Sequence, residues 1–191
     1  MARPRLDHWL PHPVVRTQHR RAGRVAADEL WSAALTLRLS DTRALGRLIR
    51  WRIPGTPAGQ SFEDLFRSYP FTVLEEGPRS LISGLCGRIW SLAPDYPTLG
   101  NETAFREWDE SGTVRVAFAH WVEAIGDDEG ELVSETRVQP VDGAGARRLR
   151  MLWAAVGRFE RLIGSEALTA AVRQAEEAHR AQVRRAANSR R

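Results

Sequence analysis

The apolar residues in the last third of the chain recur with helical spacing. From Ala146 to about residue 178 they return at i, i+3 and i+4 over seven turns or more, and they include Trp153, Val156 and Phe159. At about 1.5 Å per residue, this pattern predicts one helix roughly 45 Å long. A single apolar stripe of that length needs a large apolar surface to cover it. We therefore expect the helix to lie along a sheet, with Trp153, Val156 and Phe159 facing that sheet.

The preceding part of the chain has sequence patterns typical of strands. Residues 14–25 alternate weakly, which predicts a polar edge strand. After Gly59, further strands are predicted at about 61–68, 71–76, 80–90, 102–109, 113–124 and 131–139. Turn sequences at 109–112 and 126–130 are typical of hairpin connections. An antiparallel meander is the sheet that this order favours.

Two short helices are predicted between the first strand and the others. The first covers about residues 28–35, begins with two acidic residues and carries Leu30 and Trp31 on one face. Ser40-Asp41 is a candidate N-cap for the second, which ends at Pro54-Gly55. The result is a two-helix elbow next to the sheet.

Residue parity on the strand 113–124 indicates which side chains face the helix. Phe118 and His120 share the more apolar face with three valines, whereas Trp121 lies on the opposite face. An inward histidine has two interpretations. It is a hydrogen-bonded core residue, or it contacts a ligand or acts as an acid or base, which a pKa near 6.5 permits.

Two further strands carry charged residues whose orientation matters. Arg88 shares a face with Cys86 and Trp90; inside the fold it needs a carboxylate or an anionic ligand, and outside it is solvated. The pattern leaves both orientations open. On the strand 131–139, we expect Glu135 and Arg137 to form a surface ladder, while Thr136, of opposite parity, serves as a small polar anchor inside.

Tryptophan is abundant, with 7 in 191 residues. Five of them belong to elements that we expect to border the gap between sheet and helix: Trp51, Trp90, Trp108, Trp121 and Trp153. Large flat aromatic rings either fill a core or form the walls of a ligand cavity. Both interpretations stay open from the sequence.

Composition excludes several chemistries. All 28 basic residues are arginines, so there is no lysine for a Schiff base, a pyridoxal phosphate linkage or a Walker-type loop. The single cysteine, Cys86, excludes an intrachain disulfide and a multi-cysteine metal site. His8 and His12 have a helical metal-ligand spacing, but two prolines interrupt it. We therefore expect no metal and no cofactor.

The charge is concentrated at the two ends. Residues 1–24 contain six arginines and one acidic residue, and residues 180–191 contain five arginines and no acidic residue. Residues 25–179 have a formal charge of −6. We predict an irregular lead at 1–13, a folded domain at 14–178 and a basic tail at 179–191. The arginine tails are expected to meet nucleic acid or anionic lipid at most weakly. The lead lacks the apolar core of a signal peptide, which predicts a cytoplasmic protein.

Several sequence phrases, in this order of elements, resemble a known superfamily. They are Asp28-Glu29-Leu30-Trp31-Ser32-Ala33-Ala34-Leu35, Leu85-Cys86-Gly87-Arg88-Ile89-Trp90, Glu135-Thr136-Arg137-Val138 and Arg147-Arg148-Leu149-Arg150-Met151-Leu152-Trp153. Over about residues 14–178 the chain is similar to an uncharacterised bacterial branch of the START/Bet v 1-like (SRPBCC, polyketide cyclase-like) superfamily. The resemblance implies an α+β helix-grip fold, in which a curved antiparallel sheet of about seven strands wraps around the C-terminal helix. It implies a cavity between the two that holds lipids, sterols, polyketides or other apolar molecules.

We therefore predict a carrier or sensor that binds a small hydrophobic or aromatic ligand. The residues expected to contact the ligand are Arg88, Trp90, Phe118, His120, Trp121, Thr136, Trp153, Val156 and Phe159. One alternative is a cyclase or aromatase in which His120 or Arg88 acts on an enol or a carboxylate. The other is an interaction protein whose pocket is filled by its own side chains. No catalytic residue is assigned.

Overall fold

A curved antiparallel sheet forms the centre of the protein. The structure, a computed structural model, describes residues 4–91, 93 and 95–189, without the side chains of residues 156 and 158–163. The strands are β1 (Val15–Gly23), β2 (Thr72–Gly77), β3 (Ser80–Gly87), β4 (Val114–Gly126) and β5 (Glu129–Pro140). Every pair of neighbours is antiparallel, and the spatial order is β1-β5-β4-β3-β2.

The helices cover both faces of this sheet. They are α1 (Leu6–Trp9), α2 (Ala27–Thr36), α3 (Ala44–Arg52), α4 (Phe62–Arg67), α5 (Glu102–Arg106), α6 (Gly143–Gly164) and α7 (Glu166–Asn188). Residues of α2, α4 and α7 pack in one core with Leu81, Val122 and Leu132 of the inner face. Residues of α1 and α5 pack on the outer face. This is the α+β helix-grip architecture that we expected, including the two short helices after the first strand.

The sheet has five strands where about seven were expected, because two predicted strands are helices. In the segment 61–68, the Ser61 hydroxyl accepts a hydrogen bond from the Asp64 amide at 3.0 Å and caps α4. In the segment 102–109, the Asn101 side chain accepts from the Ala104 amide at 2.9 Å and caps α5. A side-chain oxygen that satisfies a free amide of the first turn stabilises a helix, and this outweighs the strand propensity of the aromatic residues.

The long C-terminal helix is interrupted. The predicted long C-terminal helix is confirmed, but it is divided at Ser165, because α6 ends at Gly164 and α7 begins at Glu166. Glycine at this position lowers helix propensity. The Glu166 carboxylate, just after the break, accepts hydrogen bonds from the Ala44 and Leu45 amides at 3.0 and 2.8 Å and so caps α3. Leu168 and Val172 of α7 are buried in the core with α2.

The first residues of the chain are packed on the outer face of the sheet. Residues 1–13 were expected to be irregular, but Leu6, Trp9 and Leu10 are buried and residues 6–9 form α1. The N-terminal segment is attached by the Arg137 guanidinium, which pairs with the Asp7 carboxylate and donates to the Leu10 carbonyl at 3.3 Å.

This attachment also corrects the expected surface ladder of Glu135 and Arg137. Both residues are buried, with 3% and 5% of their surface exposed, and their side chains are 2.7 Å apart. Arg16 pairs with Glu135 at 2.9 Å from the neighbouring strand. The ladder exists, but the N-terminal segment covers it and excludes water from it.

The C-terminal arginines lie on a helical extension. From Arg180 to Ser189 every residue is exposed, and α7 continues to Asn188. None of the helices formed by the described residues is long and apolar enough to cross a membrane.

Candidate ligand-binding cavity

A cavity of about 240 Å³ lies between the inner face of the sheet and helices α2, α3, α4 and α7. Its walls are mostly aliphatic and aromatic. The lining residues are Trp31, Ala34, Leu35, Leu37, Leu45, Ile49, Phe62, Glu63, Leu65, Phe66, Phe71, Leu81, Phe118, His120, Leu132, Ser134, Thr136, Gly164, Ala167, Leu168 and Ala171.

Phe66 is the centre of an aromatic wall. Its ring centroid lies 5.0 Å from that of Phe71, 5.7 Å from that of Phe118 and 4.6 Å from that of His120. The Ser61 cap sets the start of α4, and the buried Ser83 hydroxyl donates to the Phe66 carbonyl at 2.8 Å. A hydrogen bond from the sheet to the helix therefore fixes the position of this wall.

His120 places a partly buried polar ring within these apolar walls. It lies on β4, a central strand, and its ring borders the cavity. Its Nε2 atom is buried and has no hydrogen-bond partner among the described residues. Burial lowers the pKa of His120 to about 4, because the apolar surroundings disfavour the charged imidazolium. At neutral pH the imidazole is uncharged, with one nitrogen that donates and one that accepts.

Polar side chains continue from His120 across the sheet. Ser134 of β5 is the register partner of His120, and Thr136 is the partner of Phe118. Both hydroxyl-bearing residues line the cavity. Thr17 of β1 is the next partner beyond Thr136, and its buried hydroxyl also has no hydrogen-bond partner among the described residues. The floor of the cavity thus combines apolar rings with a short polar row.

The structure brings together some of the residues predicted to contact a ligand. Phe118, His120 and Thr136 all line the cavity, and the predicted parity of β4 and β5 is confirmed. Val156 and Phe159 lie outside the described side chains. That the lining residues bind a ligand stays a prediction.

Trp121 lies on the other side of the sheet. It is packed with Trp9 and Phe105 under α1 and α5, and its Nε1 donates to the Glu123 carboxylate at 2.8 Å. Its inclusion among the cavity residues is therefore wrong in geometry, because alternate residues of a strand face opposite sides.

Trp90 and Trp153 pack at one end of the inner face, around buried Leu85 and Leu149. They share Phe118 and Phe71 with the aromatic wall but do not line the cavity among the described residues. Arg88 follows β3 at the surface, where it pairs with Asp95 and Glu110, each at 2.7 Å. The carboxylate partners that an inward Arg88 would need are thus supplied at the surface, and Arg88 does not reach the cavity.

Trp51 and Trp108, the remaining tryptophans expected at the gap, also lie elsewhere. Trp51 is 61% exposed on α3, and Trp108 packs on the outer face, where its Nε1 donates to the Thr113 hydroxyl at 2.9 Å. The sequence interpretation missed Phe62 and Phe66 because it placed them on a strand. The signal was present, since Ser61 followed by Asp64 three residues later is the pattern of a helix N-cap.

Cys86 lies on the opposite side of the sheet from the cavity. Cys86 is buried on the outer face, and burial raises the pKa of its thiol to about 12. Across the described residues, no group of three His, Cys, Asp or Glu side chains is arranged to hold a metal ion.

Comparisons with known proteins add a distant likeness in fold. No family model and no curated protein sequence matches this chain. A conserved protein from Geobacillus kaustophilus has 13% identity and a TM-score of 0.44, over 86% of this chain and 97% of that chain. The Zhui aromatase/cyclase from Streptomyces sp. R1128 has 16% identity and a TM-score of 0.36, over 85% and 93%.

Norcoclaurine synthase from Thalictrum flavum has 11% identity and a TM-score of 0.30, over 93% of this chain and 92% of that chain. Values this low assign no ligand, activity or residue role to this chain.

Proposed function

We propose that this protein binds a small aromatic molecule that carries one hydrogen-bonding group. The observation that supports this most strongly is the unpartnered Nε2 of His120 in an apolar cavity. A buried polar atom without a partner costs on the order of 1–3 kcal/mol, which a ligand hydroxyl or carbonyl at this position recovers. The aromatic wall around Phe66 supplies flat apolar contacts for the rest of the ligand.

The volume of the cavity limits the size of the ligand. An apolar protein cavity of about 150 Å³ holds benzene. A cavity of about 240 Å³ therefore suits a bicyclic aromatic molecule and is too small for a sterol. The open space also counts against the alternative of an interaction protein whose pocket is filled by its own side chains.

The pKa of His120 favours binding over catalysis. A general base works best when its pKa lies near the working pH. Because burial lowers the pKa of His120 to about 4, the imidazole is a weak base at neutral pH and a suitable hydrogen-bonding anchor. Arg88, the other group considered for a cyclase, is paired with carboxylates outside the cavity. We therefore place the carrier or sensor function before the cyclase alternative.

Isothermal titration with 2-naphthol and naphthalene tests the proposal. The two molecules share the bicyclic ring, and only the first has a hydroxyl group. We expect both to bind, 2-naphthol more tightly. The variant His120→Phe should weaken 2-naphthol roughly ten-fold and leave naphthalene unchanged, because only the hydrogen bond is removed.

Trp31, which lines the cavity, supplies a second readout through quenching of its fluorescence. Absence of binding by both probes would overturn the proposal. So would equal weakening of the two probes by His120→Phe, since His120 would then be a packing residue only.

A further inference from the structure

The outer side of α3 exposes large apolar residues beside arginines. Leu48 is 39% exposed and Trp51 is 61% exposed, three residues apart on one side of the helix. Arg43, Arg47 and Arg50 are exposed around them. The helix itself, Ala44–Arg52, contains no acidic residue.

The beginning of α6 has the same character. Arg147, Arg148 and Arg150 are exposed, and Met151 next to them is 68% exposed. No acidic residue occurs between Gly143 and Ala155.

The two helices are neighbours in the fold. They contact each other, and the segment after β3 joins them. Arg52 at the end of α3 donates to the Ser91 carbonyl at 2.8 Å, and the Arg148 guanidinium lies 5.9 Å from the Trp90 ring centroid. We call the exposed side chains within residues 43–52 and 147–151 the arginine surface.

The arginine surface is positively charged, and among the described carboxylates that of Glu166 interacts electrostatically with Arg43. Within the part of the chain that the structure describes, its exposed arginines at 43, 47, 50, 147, 148 and 150 form no salt bridge. Some other arginines, by contrast, are paired, as Arg67 is with Glu76 at 2.5 Å and Arg79 is with Asp28 at 2.5 Å. Unpaired cations clustered around exposed Trp, Leu and Met side chains call for an anionic partner that also accepts apolar groups.

We propose that the arginine surface docks on an anionic lipid membrane. Basic side chains are attracted to anionic headgroups, and Trp and Leu enter the boundary between headgroups and acyl chains. A nucleic acid matches the charge of this surface but offers no apolar phase for Leu48 and Met151. An anionic membrane therefore matches both the positive charge and the exposed apolar side chains of the arginine surface.

The position of α3 relates this surface to the cavity. Leu45 and Ile49, on the inner side of the helix, line the cavity, so α3 separates the cavity from the arginine surface. Docking would place the cavity wall at the level of the lipid headgroups, where an apolar molecule is more concentrated than in water. This last consequence rests on the proposed ligand binding, whereas the docking itself does not.

Sedimentation of the full chain with sucrose-loaded vesicles tests the docking, without any added ligand. Vesicles of phosphatidylcholine are compared with vesicles that contain 30% phosphatidylglycerol, at 100 mM NaCl. We expect binding to the anionic vesicles only. The double variant Arg47→Gln/Arg50→Gln should lower the partition constant roughly 20-fold, since each basic side chain at an anionic surface contributes about a factor of five. Leu48→Ala/Trp51→Ala should lower it roughly ten-fold.

A matched control changes the same kinds of residue at the exposed end of α7. The variant Val183→Ala/Arg184→Gln/Arg185→Gln should bind the anionic vesicles within two-fold of the unchanged protein. Failure of the unchanged protein to sediment, or an equal loss in the α7 control, would overturn the proposal. Binding of a 20-base-pair DNA duplex that survives Leu48→Ala/Trp51→Ala, without vesicle binding, would also overturn it and assign the surface to nucleic acid. Titration with 2-naphthol in the absence of vesicles tests the cavity separately, so the two failures are distinguishable.

Discussion

The imidazole of His120 packs against the ring of Phe66, with the two ring centroids 4.6 Å apart. This contact joins the central strand β4 to the short helix α4 and leaves the Nε2 atom of His120 without a hydrogen-bond partner among the described residues. A polar group held in this way is uncharged at neutral pH.

The first prediction concerns the dependence of stability on pH. Burial lowers the pKa of His120 to about 4 in the folded protein, whereas the unfolded chain has a pKa near 6.5. Between these values the unfolded state binds more protons, so the free energy of unfolding falls as the pH falls from about 6.5 to about 4. The loss attributable to His120 is about 3 kcal/mol, at about 1.4 kcal/mol per pH unit.

Urea denaturation of the unchanged protein and of His120→Phe, from pH 4 to pH 8, measures this loss. The difference in the free energy of unfolding between the two proteins should change by about 3 kcal/mol in favour of the variant as the pH falls. Other titrating groups contribute equally to both proteins. A constant difference across the range would show that His120 is not buried in the folded state.

The second prediction concerns the buried ion pair on the outer face. Glu135→Leu leaves the Arg137 guanidinium buried with Asp7 as its remaining carboxylate partner, and it also removes the partner of Arg16. Removing one member of a buried pair costs about 3–5 kcal/mol. We therefore expect a loss of this order in a denaturant melt, together with faster proteolysis of residues 4–13.

The matched control is Glu131→Leu on the same strand. Glu131 pairs with Arg20 at 2.7 Å, but both side chains are partly exposed, and such pairs contribute about 1 kcal/mol or less. Equal losses for the two variants would contradict the burial of Glu135.

The third prediction concerns the cap of α4. Ser61→Ala removes the hydrogen bond to the Asp64 amide and should cost about 1 kcal/mol. Because α4 carries Phe62 and Phe66, the same change should also weaken 2-naphthol binding. Ser61→Asp keeps an acceptor at the cap and should restore both properties. If Ser61→Ala lowers stability and 2-naphthol binding but Ser61→Asp does not restore them, the Ser61 hydroxyl does not act as a helix cap.

The fourth prediction fills the cavity. Ala167 lies on α7 and lines the cavity, so Ala167→Phe should occupy much of its volume and abolish 2-naphthol binding. Overpacking costs about 1–3 kcal/mol, so circular dichroism should first establish that the variant is folded before it is titrated. Ala178→Phe, at an exposed position of the same helix, is the control and should bind normally. Unaltered binding by Ala167→Phe would place the ligand elsewhere.

Periodicity in the sequence predicts the parts of the fold in which one face of an element is buried. The alternation of β4 correctly placed Phe118 and His120 inside, and the acidic start of α2 correctly marked a helix. Periodicity did not predict α4 and α5, because these helices are too short to show a helical period. Their structure is decided by the caps Ser61 and Asn101.

Long-range packing accounts for the other failures. Glu135 and Arg137 have the sequence pattern of an exposed ladder, and only the folded N-terminal segment shows that they are covered. Just after the break between α6 and α7, Glu166 reaches the start of α3, more than 100 residues away in the chain, and no local pattern records this contact.

The central claim is that a small aromatic ligand occupies the cavity and bonds to His120. Nitrogen-15 NMR of the imidazole side chains tests this most directly, because each histidine nitrogen reports its own protonation and hydrogen bonding. The His120 signals are assigned by their loss in His120→Phe, and His8, His12, His19 and His179 serve as internal controls. On saturation with 2-naphthol, we expect a shift of the His120 Nε2 resonance with little change at the other four histidines. Saturation with 2-naphthol that leaves the His120 resonances unmoved would contradict it.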